Sequence, residues 1–220
     1  MNRMLVAVFL VLSSLGLSGC GTYDWHQKMT VEVETPLGVK SGSAITSVSW
    51  WKNEFFKDGA ALQSSIKGEA AVVDLGGGHY LFALLSHADD SGYMARLAPR
   101  IVVDRDQLVW SLEAITRAKA LSGPLEVPPK HFPMLVTFTD INDPKSVKEV
   151  NPANLGATFG AGYALQSLTL EVTDEPVLGG KIESLLNWLS AYPEPGLCKP
   201  SNAGIIPFCR KIHHGDLIRR

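Results

Sequence analysis

Strict alternation of apolar and polar side chains is the feature that most constrains the fold of this chain. Between Thr30 and Thr35, Val31 and Val33 alternate with polar residues, and residues 164–173 repeat the pattern. A period of two is typical of a β-strand with one buried face and one face in water. Sheets built from such strands are mostly antiparallel, so the sequence predicts an antiparallel sheet.

Turn signals join the predicted strands into hairpins. Pro36-Leu37-Gly38 separates the first alternating segment from an extended run, which predicts a hairpin over residues 30–51. Gly42 within that run predicts a β-bulge. A strand over residues 66–75, a turn at Gly76-Gly77-Gly78 and an apolar strand over residues 80–85 predict a second hairpin, and we expect its apolar strand to be central in its sheet.

Helical patterns occur mainly in the second half of the chain. Asp104 and Gln107 have capping-box spacing and begin a predicted helix that ends at Gly123-Pro124. Apolar residues at helical spacing predict another helix over residues 180–190, whereas Pro99 is expected to break any helix over residues 92–103. Together these elements predict an α+β fold, a largely antiparallel β-sheet built from hairpins and covered by two or three helices.

The N-terminus has the pattern of an export signal. Arg3 precedes an apolar run over residues 5–15, and Leu17-Ser18-Gly19-Cys20 follows. The run is too short to cross a bilayer, which takes about 20 apolar residues, but it has the length of a signal-peptide core. A buried core helix is the alternative. The basic start and the small residues at the exit favour the signal peptide.

Leu17-Ser18-Gly19-Cys20 resembles the lipobox of bacterial lipoproteins. The resemblance implies cleavage before Cys20, lipidation of the Cys20 sulfur and a stable bilayer anchor through the acyl chains. It places the domain in the bacterial cell envelope, facing the periplasm. In some bacteria an aspartate directly after the lipidated cysteine resembles an inner-membrane retention signal. Here Gly21 occupies that position, so the outer membrane is favoured.

The predicted organisation has four parts. Residues 1–19 are the signal peptide, residues 20–28 a lipidated tether, residues 29–192 a single α+β domain, and residues 193–220 an extended C-terminal appendage. Several stretches also resemble a group of uncharacterised exported bacterial proteins: residues 33–39, 68–70, 73–76, 133–147 and 171–176. That resemblance implies no particular activity.

Charge and composition limit the classes of partner. Removal of residues 1–19 leaves 19 Lys and Arg against 22 Asp and Glu, a formal charge of −3. A chain without a basic stripe lacks the electrostatic footprint of a nucleic-acid-binding protein. Hydrophobic residues make up 45% of the sequence, which is enough for a packed core.

Two further cysteines, Cys198 and Cys209, lie near the C-terminus. An exported compartment is oxidising, so we expect them to form a disulfide. A zinc site is the alternative and would need two more ligands. The adjacent His213 and His214 are poorly placed to share one tetrahedral ion.

Polar motifs in the sequence fit ordinary loops better than chemical sites. Gly76-Gly77-Gly78 lacks the following helix and the lysine of a phosphate loop, and residues 140–143 lack the glycine and glutamate of an EF-hand loop, so both are expected to be turns. A solvated loop is also the better interpretation of four potential metal ligands: His79, His87, Asp89 and Asp90. We therefore assign no catalytic residue, metal or cofactor.

Four aromatic residues surround one polar connection and form a candidate interaction patch: Trp50, Trp51, Phe55 and Phe56. One interpretation is that they form an edge of the core. The other is an exposed surface that docks a partner or dips into the lipid surface.

Two classes of function remain open. The favoured one is a membrane-anchored cell-envelope lipoprotein, a non-enzymatic binding or structural module for a protein or a cell-wall component. It predicts an exposed apolar patch and no deep polar pocket. The alternative is a lipid-anchored envelope hydrolase, which predicts a cleft where acids or histidines converge.

Overall fold

The computed structural model describes residues 21–53, 61–87, 90, 92–103, 111–191, 196–198 and 207–220. The described residues form ten strands in two antiparallel sheets, with five helices, so the predicted α+β class is confirmed. The strands are β1 (Tyr23–Thr35), β2 (Gly38–Asn53), β3 (Ala61–Glu69), β4 (Ala71–Gly76), β5 (His79–Ala83), β6 (Leu125–Glu126), β7 (Leu135–Phe138), β8 (Val147–Glu149), β9 (Ala164–Thr173) and β10 (Ile218–Arg219). The helices are α1 (Tyr93–Val103), α2 (Leu112–Lys119), α3 (Gly156–Phe159), α4 (Lys181–Leu185) and α5 (His214–Leu217).

The first sheet has the strand order β10-β3-β2-β1-β9-β6. Its centre is the predicted first hairpin, in which Thr35 pairs with Gly38 across a two-residue loop. Gly38 has a φ of 102°, a conformation that glycine adopts without strain. The alternating pattern places Val31 and Val33 inside and leaves the polar residues on the solvent side, as predicted.

The predicted tether over residues 20–28 is corrected, because β1 begins at Tyr23. The polar side chains that indicated a tether lie on the solvent side of the strand, while Trp25 and Gln27 between them are buried. Gln27 is buried without loss because its Nε2 donates to the Met94 carbonyl at 2.9 Å and its Oε1 accepts from Trp25 Nε1 at 3.1 Å. The domain therefore starts two residues after Gly21.

The predicted bulge at Gly42 is wrong, since β1 and β2 pair without a register shift. Gly42 instead marks a close approach of two sheets: a Cβ on it would lie 2.0 Å from the Val72 carbonyl oxygen of β4. A register shift does occur between Glu32 and Val33, where β1 pairs with β9.

The predicted strand over residues 66–75 is divided between the two sheets. β3 ends at Glu69, the Ala70 N–H donates to the Leu217 carbonyl at 2.8 Å, and β4 continues in the second sheet. That sheet has the order β4-β5-β7-β8, so β5 is central, as expected for its apolar sequence. The glycine turn at residues 76–78 joins β4 to β5, which confirms the predicted second hairpin.

The second sheet separates two hydrophobic cores. Successive residues of β5 point to opposite faces of this sheet, so that Leu81 belongs to one core and Phe82 to the other. The first core lies between the two sheets and includes α1 and α2. The second core is covered by α4 and by the C-terminal residues, so the fold has three layers.

The helix α1 continues through Pro99, which corrects the predicted break. Proline has no N–H to donate to the carbonyl four residues earlier, that of Ala95. The indole Nε1 of Trp50 donates to this carbonyl at 3.3 Å instead. Of the predicted helix from Asp104, residues 104–110 lie outside the described residues, and α2 begins after Ser111, whose Oγ accepts from the Ala114 N–H at 3.1 Å.

The C-terminal appendage predicted over residues 193–220 is corrected for its described part. Ile212, Leu217 and Ile218 are buried in the second core, and β10 extends the first sheet by pairing with β3. The sequence did not indicate that this segment packs into the core, because Ile212, Leu217 and Ile218 are too few and too irregularly spaced to form a periodic pattern. The predicted disulfide between Cys198 and Cys209 is present, with a Cα–Cα distance of 5.7 Å.

Replacing Cys198 and Cys209 together with alanine is expected to lower the free energy of unfolding by about 3 kcal/mol, because the bridge restricts the unfolded chain. Both half-cystines are buried in the second core. Urea unfolding with and without reductant measures the effect. Reductant should destabilise the wild type and leave the double variant unchanged; an equal midpoint for wild type and variant without reductant would contradict this role.

Candidate functional site

The face of the first sheet that lies opposite the first core is called the outer face. On β1 it carries the alternate residues from Asp24 to Glu34. Across the strands, His26 pairs with Ser47 of β2 and with Thr173 of β9, so one row of side chains crosses three strands. The outer face is rich in hydroxyl groups because β2 contributes several serines at alternate positions.

The outer face is crossed by a strap, the segment over residues 174–180 that connects β9 to α4. Glu175 pins the first part of the strap: its carbonyl lies 2.8 Å from His26 Nδ1, and its carboxylate lies 2.8 Å from Lys28 Nζ. The Glu175 carboxylate, together with Glu171, raises the pKa of Lys28 above its ordinary value. From β9 the strap runs over β1 and β2 towards the end of β3.

Glu69 at the end of β3 pins the other end of the strap. Glu69 is only 6% exposed, and its carboxylate accepts hydrogen bonds from three successive backbone N–H groups, those of Gly180, Lys181 and Ile182, the last two at 3.1 Å. Three N–H donors offset the cost of burying this charge. Lys181 adds a bond of its own, from Nζ to the Val72 carbonyl at 3.5 Å.

Three surface pockets lie along the strap. The first, of about 420 Å³, lies where β9 ends and includes Asp24, His26 and Asp174. The second, of about 270 Å³, lies over β2 between Glu175 and Glu69, the two residues that hold the strap and that we call its clamps. The third, of about 370 Å³, lies between the strap and β10. Leu178 lines both of the latter two and is 75% exposed, although it is a large apolar residue.

A second polar cluster lies at the start of α1. Asp90 forms ion pairs with Arg96 and Arg100, and the Asp90 Oδ1 accepts from the Gly92 N–H at 3.1 Å. Burial and the nearby Arg100 lower the pKa of Arg96, while burial raises the pKa of Tyr93. The Tyr93 hydroxyl donates to the His131 carbonyl inside the core. These contacts fix the start of α1 and require no ligand.

The candidate interaction patch is corrected in part. Trp50 is fully buried, because its position on β2 faces the core and its indole bonds to α1. Trp51 lies on the opposite side of β2 and is half-buried. Phe55 and Phe56 lie outside the described residues, as does the predicted lipidation site Cys20.

Replacing Trp50 with phenylalanine is expected to lower the free energy of unfolding by about 2 kcal/mol, since the change loses core volume and leaves the Ala95 carbonyl without its donor. Thermal or urea unfolding measures the change. The matched variant Trp51→Phe lies on the outer face and should cost less than about 0.5 kcal/mol. Equal losses for the two variants would contradict the orientation of β2.

The other sequence-level candidates have ordinary roles. Among the described residues, no three His, Cys, Asp or Glu side chains are grouped so that they could hold a metal ion. His87 Nδ1 lies 2.8 Å from the Phe132 carbonyl, and Asp89 lies outside the described residues. The turn over residues 140–143 is confirmed, with Asp140 Oδ1 accepting from the Asn142 N–H at 2.9 Å.

Sequence reasoning missed Glu69 and the strap. Two signals existed: Glu69 is an acidic residue directly before the apolar run over residues 70–73, and Gly179-Gly180 precedes a helical pattern without a side chain that could cap it. When the first turn of a helix has no local cap, its free backbone N–H groups need acceptors from another part of the chain. The sequence cannot tell which distant residue supplies them.

Comparisons with known proteins add no assignment to this geometry. The chain matches no family model, no curated protein and no solved structure. In the part of the chain that the structure describes, no helix has the length and apolar character required to cross a bilayer.

Proposed function

We propose that this chain is a lipid-anchored protein of the bacterial cell envelope whose domain binds a ligand on the outer face, beside the strap. The observation that carries the proposal is the double clamp of the strap, at Glu175 and at Glu69, with pockets on its sides. Both clamps hold the strap in one conformation, and a preorganised site loses less conformational entropy when a ligand binds.

The anchor follows from Cys20 and from the start of β1. Only Gly21 and Thr22 separate Cys20 from Tyr23, the first residue of β1. An extended chain advances about 3.4 Å per residue, so an acylated Cys20 holds the start of β1 within about 10 Å of the lipid surface. We therefore place the domain directly on the membrane, where its ligand is a component of the envelope.

We favour binding over hydrolysis because the two glutamates that hold the strap, Glu175 and Glu69, are engaged in structural contacts. Glu175 is paired with Lys28, and Glu69 accepts three backbone N–H groups. A general acid or base must reach the substrate's proton. Carboxylates engaged in this way hold the chain in place instead.

Replacing Cys20 with serine is expected to release the protein from membranes, since serine provides no sulfur for the thioether. Membrane fractionation and the mass of the N-terminal peptide measure the outcome. Wild type should sediment with vesicles and carry acyl chains, and Cys20→Ser should do neither. The matched variant Ser18→Ala keeps the thiol and a small residue before it and should still sediment. If Cys20→Ser sediments as wild type does, the lipid anchor is refuted.

Ligand occupancy of the strap is measured by chemical accessibility. In Leu178→Cys the new thiol stands at the exposed centre of the strap, and in Leu37→Cys it stands on the hairpin tip, where Leu37 is 87% exposed. We expect a maleimide reagent to label position 178 more slowly in native membranes than in purified protein, and to label position 37 at equal rates in both. Equal rates at position 178 would contradict a bound envelope ligand.

A further inference from the structure

One end of the first sheet lies beside the proposed anchor. A connection of two exposed residues leads from Cys20 to Tyr23, the first residue of β1. Tyr23 pairs with Trp50, and β2 continues past this pair as far as Asn53. Because the two strands are antiparallel, the last residues of β2 extend beyond the start of β1, on the side of the anchor.

The short connection limits how far Trp51 can lie from the lipid surface. The extended chain from Cys20 to Tyr23 spans about 10 Å, and the neighbouring strand lies about 5 Å to the side. Trp51 directly follows the partner of Tyr23, so it lies within about 20 Å of Cys20 in any arrangement of the connection. The other end of the hairpin is about 40 Å away, since β1 has 13 residues.

The two residues after Trp50 have the chemistry of a membrane interface. Trp51 is a half-buried aromatic residue on the outer face, where β2 otherwise presents mostly serines, and it pairs with Gln63 of β3. Lys52 points to the other side of β2 and is exposed. Within the described ranges, no acid forms an ion pair with Lys52.

We propose that Trp51 and Lys52 dock the domain on the lipid surface beside the anchor, with the Trp51 indole among the headgroups and the Lys52 ammonium at the lipid phosphates. An indole joins an apolar ring to a polar N–H, which suits the headgroup level. The apolar stem of a lysine lets its charge stay in the polar layer.

The docking sets the orientation of the domain. Successive residues of a strand point to opposite faces, so Trp51 and Lys52 contact the lipid from both sides of β2. The first sheet then stands on its end with the outer face free, and the hairpin tip at Leu37 points away from the membrane. This inference rests on the proposed lipid anchor and adds a second membrane contact to it.

The test uses the full acylated chain in vesicles of phosphatidylcholine and phosphatidylglycerol that are brominated near the headgroup end of the acyl chains. Bromine quenches an indole that reaches the lipid. We expect brominated vesicles to lower the tryptophan emission of the wild type, and Trp51→Phe to lose at least about half of this quenching. Trp188→Phe is the matched control and should keep it, because Trp188 packs on the second core and bonds the Ile141 carbonyl.

Charge variants test the lysine contact. Lys52→Glu places an acid at the lipid phosphates and should lower the quenching at least about twofold. Lys67→Glu is the matched control, since Lys67 is an exposed lysine on β3 that lies farther from this end of the sheet. It should leave the quenching unchanged. Equal quenching in wild type and Trp51→Phe, or in Lys52→Glu and Lys67→Glu, would overturn the proposal.

The docking and the anchor fail separately, because quenching measures the first and sedimentation measures the second. Wild-type protein that sediments with brominated vesicles but shows no quenching would refute the docking and keep the anchor. Wild-type protein that carries no acyl chain and stays in solution would refute the anchor, and the orientation that depends on it would be refuted as well.

Discussion

Replacing Glu69 with alanine is expected to lower the free energy of unfolding by about 4 kcal/mol and to free the strap. The change removes the acceptor of three backbone N–H groups, at Gly180, Lys181 and Ile182. An unsatisfied buried donor costs about 1–3 kcal/mol, and water that enters from the neighbouring pockets offsets part of that sum. The carboxylate also joins the first sheet to the second core, so its loss affects two layers of the fold.

Urea unfolding measures this stability, and limited trypsin digestion reports on the strap. We expect faster cleavage after Lys181 in Glu69→Ala than in wild type. Glu69→Gln keeps the shape but turns an amide N–H₂ towards donors, so it should lose about 2 kcal/mol. The control Glu34→Ala, on the exposed part of β1, should stay within about 0.5 kcal/mol of wild type. A Glu69→Ala protein as stable as Glu34→Ala would contradict the clamp.

Replacing Gly42 with alanine is expected to lower the free energy of unfolding by more than about 4 kcal/mol, or to prevent folding. The added Cβ would lie 2.0 Å from the Val72 carbonyl oxygen and 2.9 Å from the Val73 nitrogen. Both atoms belong to backbone, so no side-chain rotation relieves the contact. The two sheets would have to separate, which would open the first core between them.

The yield of folded protein and its melting temperature test this prediction. Ser41→Ala and Ser43→Ala are the matched controls, because both neighbours of Gly42 are exposed on the outer face and add no atom. They should change stability by less than about 0.5 kcal/mol. If Gly42→Ala has the same melting temperature as Ser41→Ala and Ser43→Ala, then β4 does not lie against β2 as described.

The two hairpins could be predicted from the sequence, because neighbouring residues specify them. Alternation along β1 and the turn at Pro36-Leu37-Gly38 gave the first hairpin, and the glycine turn gave the second. The pattern could not show that the run through Ala70 divides between two sheets, because the small apolar residues over 70–73 are compatible with one continuous strand. It also could not show that Pro99 stays within α1, since that depends on an indole from a distant strand.

The candidate site could not be predicted from the sequence, because its parts are distant along the chain. Glu69 and the N–H groups that it accepts are separated by more than 110 residues, and backbone donors leave no signature in a sequence. The disulfide was predictable because thiols in an exported chain have few other uses. The buried side of Trp50 follows from its register on β2, which is decided by pairing with β1.

We propose that the strap forms one wall of a binding site. Maleimide labelling of Leu178→Cys, compared between native membranes and purified protein, tests this most directly, because Leu178 is 75% exposed at the centre of the strap. We predict slower labelling at position 178 in native membranes and equal rates in both samples for Leu37→Cys on the hairpin tip. Equal rates at position 178 in the two samples would contradict a ligand bound at the strap.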